Sequence, residues 1–94
     1  MKSAYELAME RLEKESPSEA PLREEQKQAL ARVDEDYQAK LAEREVFLAG
    51  KRDAARAAGN HQEAEELEAE RRSERERIEA EREEAKERIR RGEG

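Results

Sequence analysis

Leu67, Ile78 and Ile89 are the only large apolar side chains beyond position 50, and they fall at intervals of eleven. The same interval separates Leu30 from Leu41 and Tyr37 from Leu48. Eleven residues make about three turns of an α-helix, so each set forms a thin apolar stripe on one helix face. A stripe this narrow is suited to lying against another helix.

Composition narrows the choice further. Charged residues make up 49% of the 94-residue chain and hydrophobic ones 34%, many of these being Ala. A compact globule of this length needs a denser apolar core to offset chain entropy. Low hydrophobicity and high charge also describe disordered chains. Here, however, the charges are mixed, with 20 Lys and Arg against 26 Asp and Glu. Ala and Leu, the strongest helix formers, dominate the remainder, and Gly and Pro are nearly absent from two long windows. The expected fold is all-α: an antiparallel two-helix hairpin, coiled-coil-like, with an 11-residue apolar repeat.

The net charge of −6 argues against a generic nucleic-acid or anionic-membrane binder. Without cysteine there is neither a disulfide framework nor a thiolate metal site. The first residues, Met1 to Glu6, carry no apolar run resembling a signal peptide, and no segment is long and apolar enough to span a bilayer. The expectation is a cytoplasmic protein with no membrane association.

Along the chain, Ser3 and Glu6 match a capping box, which opens a short amphipathic helix within residues 1–15. Its apolar face carries Tyr5, Met9 and Leu12. A helix of about three turns is marginal alone and needs a surface to persist. Residues 16–21 hold two serines and two prolines and form a linker, with Pro21 expected in the first turn of the next helix. Residues 22–91 then form the hairpin. Its turn falls at 59–60, where Gly59 supplies a left-handed residue and Asn60 a side-chain cap. Residues 92–94 are expected to be a disordered tail.

Folding the long helices back about this turn sets Leu30 against Ile89, Leu41 against Ile78, and position 52 against Leu67. The seam is then Leu30, Tyr37, Leu41, Leu67, Ile78 and Ile89. In the same register Leu48 faces Arg71 and Tyr37 faces Arg82, where Arg stems lie over apolar groups and Arg82 makes a cation–π contact. Helical spacing also predicts ion pairs Glu68–Arg72, Glu84–Arg88, Glu87–Arg91, Glu74–Arg77 and Glu79–Arg82. The short N-terminal helix is expected to pack at the open end, with Leu12 near Leu22 and Tyr5 near Val33.

Val46, Phe47 and Leu48 form the only run of three large apolar residues and include the only Phe. Together with Tyr5, Met9 and Leu12 they are the candidate interface for a protein partner or a second copy of the chain, pointing to a homo-oligomer. No catalytic set, cofactor site or metal site is expected. His61 and Glu65 offer at most two ligands, and the acidic clusters lack the geometry of a calcium loop. The function these features predict is that of a small non-enzymatic helical interaction protein: an adaptor, chaperone-like factor or assembly subunit. The alternative is a regulatory or nucleic-acid-associated factor using the Arg71, Arg72, Arg75 and Arg88, Arg90, Arg91 clusters of the third helix.

Overall fold

A computed structural model of the chain describes residues 2–15 and 21–93, with first-helix side chains described as far as Arg11. Three helices follow in order: α1 (Ala4–Glu15), α2 (Glu24–Ala57) and α3 (His61–Arg90). There is no strand among the described residues.

The start of α1 and both ends of α2 and α3 have a definite hydrogen-bonding cause. The Glu6 N–H donates to Ser3 Oγ at 3.2 Å and the Leu7 N–H to the Ser3 carbonyl at 3.0 Å, which starts α1. Pro21 does not enter α2, contrary to the sequence expectation. The helix begins three residues later, where Arg23 is extended (φ −73°, ψ 157°) and its N–H donates to Gln26 Oε1 at 2.8 Å. Gln26 thus supplies the reciprocal arm of a capping box and sets the start.

At the turn, Gly59 is left-handed (φ 79°). Its N–H reaches the Arg56 carbonyl at 3.0 Å, and the Asn60 N–H reaches that of Ala55 at 2.8 Å. This pair of bonds is a Schellman motif, which satisfies the last carbonyls of α2. Asn60 occupies the N-cap position of α3, yet its side chain makes no capping hydrogen bond. Its backbone carbonyl accepts from Ala64 at 3.0 Å instead. The same motif closes α3, with Gly92 at φ 84°, Gly92 N–H to Ile89 at 2.9 Å and Glu93 N–H to Arg88 at 2.9 Å. Gly92 and Glu93 are therefore an ordered cap rather than the frayed tail anticipated, and Gly94 lies outside the described residues.

α2 and α3 pack along their length as an antiparallel hairpin. The register that sets Leu41 against Ile78 also faces 44 with 75, 52 with 67, 34 with 85 and 40 with 79. Four of the ion pairs across the seam join Arg44 to Glu74, Arg52 to Glu68, Asp34 to Lys86 and Lys40 to Glu81, each within two residues of that register, while Arg71–Glu45 and Arg82–Asp34 lie three residues from it. Ile78 is 1% exposed and Leu48 2%, with Ala55 and Ala64 buried beside the turn. Leu30, Tyr37, Leu41, Leu67 and Ile89 are half-buried, as one partner helix leaves one side open.

α1 makes no extensive packing with either long helix. Tyr5 is 74% exposed, and Leu7 and Met9 are exposed too, so the cover over Val33 expected from Tyr5 is not provided. The Leu12 side chain, expected near Leu22, lies outside the described residues.

Candidate interaction surface

Successive residues of a helix point about 100° apart, and this separates the Val46-Phe47-Leu48 run into three directions. Leu48 turns into the seam and is buried, so it belongs to the core and not to an interface. Val46 projects from the back of α2 at 75% exposure. Phe47 stands on the flank between them and is 49% exposed. Its ring lies between two cations of its own helix, with the Arg44 guanidinium 5.0 Å and the Lys51 ammonium 4.9 Å from the centroid. Each such contact is worth about 0.5–1 kcal/mol at an exposed site, so the ring is held in place without being covered.

Below Phe47 on the same flank, Arg44 grips Glu74 with two bonds, Nε to Oε2 at 2.9 Å and Nη2 to Oε1 at 3.2 Å. Lys40 reaches Glu81 at 3.4 Å. On the other flank Arg52 donates to Glu68 at 2.6 Å, Glu45 accepts from Arg71 at 3.3 Å and lies 3.4 Å from Arg75, and Asp34 accepts from Lys86 at 3.1 Å. Hydrogen bonds from Arg71 and then Arg52 hold the Glu68 carboxyl well below its ordinary 4.5, at about 2. Arg44 lowers Glu74 in the same way, and Arg88 lowers Glu84.

Several expected pairs are rearranged, some to a partner on the facing helix and others to a different neighbour on their own helix. Arg82 does not stack on Tyr37. It turns to Asp34, at 3.9 Å, and its Nε is buried without a hydrogen-bond partner. The cation over the Tyr37 ring is Lys40, 5.7 Å from the centroid. Glu68 pairs with Arg71 and Arg52 rather than Arg72, and Glu87 with Arg90 rather than Arg91. Glu79 pairs with Arg75, while Glu84–Arg88 and Glu74–Arg77 form as spaced. The Arg71, Arg75, Arg88 and Arg90 guanidinium groups are thus engaged by acids on the hairpin itself.

One structural contact has no counterpart in the sequence pattern. Besides capping α2, Gln26 donates through Nε2 to the Ile89 carbonyl at 2.9 Å, tying the open end of the hairpin shut. Nothing in the local sequence signals it, because the partner lies on the other helix. At the opposite end, Gly59, Asn60, His61, Gln62, Glu63 and Glu66 line a shallow hollow. Among the described residues no group of three or more His, Asp or Glu side chains is placed to hold a metal ion. No described helix is long and apolar enough to cross a membrane.

The surface is therefore a rod whose seam is filled and whose flanks carry ion pairs. Its unfilled apolar groups are Phe47 and Val46 on α2 and Tyr5, Leu7 and Met9 on α1. No family model, curated protein or solved structure matches the chain.

Proposed function

We propose that this chain is a small non-enzymatic interaction protein that acts by packing a helix face against another helix, either of a second copy or of a different protein. The observation that carries this reading is the set of exposed apolar side chains on two separate helices: Phe47 on the α2 flank, and Tyr5 with Met9 on α1. A helix of 12 residues is short for independent stability, so α1 gains most from a partner surface. An adaptor or assembly subunit in the cytoplasm is the setting this reading favours. The nucleic-acid alternative has less support, because acids on the hairpin already occupy most of the α3 guanidinium groups.

Affinity capture from native lysate, combined with sedimentation equilibrium, tests the proposal. Wild type is expected to self-associate or to retain a partner that Phe47→Ala or Tyr5→Ala/Met9→Ala loses. A strictly monomeric chain that captures the same background proteins as both variants overturns it. Salt-dependent RNA or DNA binding, lost on replacing Arg71, Arg72 and Arg75, would favour the alternative instead.

A further inference from the structure

We propose that two copies pair side by side and antiparallel through the Phe47 flank of α2, about a two-fold axis at Lys40. The proposal rests on the self-association part of the reading above and specifies its surface. Val33, Asp36, Lys40, Arg44 and Phe47 follow one another along α2 at steps of three, four, four and three. These steps keep them on one face, about 80° around the helix from the seam. The order of steps is the same in both directions, as an isologous contact between identical helices requires.

The chemistry is complementary on reversal as well. Turning α2 about Lys40 sets Val33 of each copy against Phe47 of the other, a half-buried aliphatic group against an exposed ring. It sets Asp36 against Arg44. Asp36 is exposed, and the ion pairs of this stretch among the described residues go to its neighbour Asp34 instead. Arg44 spends Nε and Nη2 on Glu74, leaving Nη1 to donate across the axis. The two Lys40 side chains fall on the axis, but each ammonium is drawn toward its own α3 by Glu81 at 3.4 Å. An axis at Phe47 would stack two rings, yet it would strand Val33 opposite the tip. The charge pattern thus selects a second copy as the occupant, with acid and base on opposite sides of one axis.

The contact runs along about 50 Å of helix and buries on the order of 1,000 Å² in total, at the low end for specific interfaces. The association is accordingly weak, with a dissociation constant of about micromolar or above.

Because the native chain has no cysteine, single cysteines report the geometry cleanly. Under mild oxidation Lys40→Cys is expected to give a disulfide-linked dimer, whereas Val46→Cys, on the back of α2, is not. Sedimentation equilibrium of the wild type should show the mass rising from 10.9 kDa toward twice that value with concentration. Asp36→Arg places like charges across the axis and should weaken association at least about tenfold with helical content unchanged. A wild type that stays monomeric to millimolar concentration overturns the pairing. If that monomer still retains another protein through Phe47, the interaction reading survives without it. A dimer indifferent to Asp36→Arg, or one that cross-links equally through both cysteines, overturns this face alone.

Discussion

Ile78 carries more of the hairpin than any other side chain, being the most completely buried large group in a seam one helix wide. Its truncation leaves a cavity that charged neighbours cannot fill. Ile78→Ala is expected to lower the unfolding free energy by about 2–4 kcal/mol in urea denaturation followed by circular dichroism. Val46→Ala, on the exposed back of the same rod, should change it by less than about 0.5 kcal/mol. Equal effects from the two would refute the seam. Phe47 sits between these extremes: half its surface is free, and its ring is positioned by Arg44 and Lys51 rather than by core contacts.

Two glycines in α2 and its turn have opposite meanings at the level of the elements. Gly50 lies in the helix interior, and a Cβ there would meet nothing within 4 Å. Gly50→Ala should therefore stabilise the protein by about 0.5–1 kcal/mol, through the smaller entropy loss of alanine. Gly59 also has open space around it but holds φ 79° in the Schellman turn. Gly59→Ala should cost about 1–2 kcal/mol, because a Cβ disfavours the left-handed region. Thermal melts of both variants check the pair of signs, and a Gly59→Ala melt at or above wild type would contradict the turn described. Gln26→Ala loses both a cap and the link to Ile89, and hydrogen exchange should show the open end fraying first.

For the molecule as a whole, the ion pairs make stability depend on acid. Glu68, Glu74 and Glu84 all ionise more readily when folded than their ordinary value of 4.5. Groups shifted downward contribute stability that is present above their unfolded value and lost as pH falls through the folded one. The melting temperature should therefore drop between about pH 4.5 and pH 2, the lower bound set by Glu68. Glu68→Gln should shrink that drop, and an unchanged acid profile in this variant would remove the Arg71–Glu68–Arg52 cluster as its source. High salt should weaken the exposed pairs and leave the Ile78 seam in place. The exposed α1 face and the Phe47 flank lie on separate helices, so the proposed contacts at each are expected to respond independently, and Tyr5→Ala/Met9→Ala should leave binding through Phe47 unchanged.

The helical class and the two-helix hairpin were legible because they follow from periodicity. Leu30, Leu41, Ile78 and Ile89 recur at whole numbers of helical turns, and Gly59 is the residue that a left-handed turn favours. These are local properties, encoded within one or two turns of chain. The partners of charged groups were legible only in part: Glu84–Arg88 and Glu74–Arg77 form as their spacing predicts, whereas a carboxylate within reach of two guanidinium groups takes whichever side-chain conformation and the facing helix bring closest. Arg82 chose Asp34 over Tyr37, and Glu68 took Arg52 from across the seam, for that reason. Leu48 was legible as a seam residue from its place on the Tyr37–Leu48 stripe and is buried, whereas how far Phe47 on the flank stays open was decided by packing. Chain periodicity determined that a seam exists; the second helix, by covering Leu48 and leaving Phe47 open, decided which surface remains for a partner.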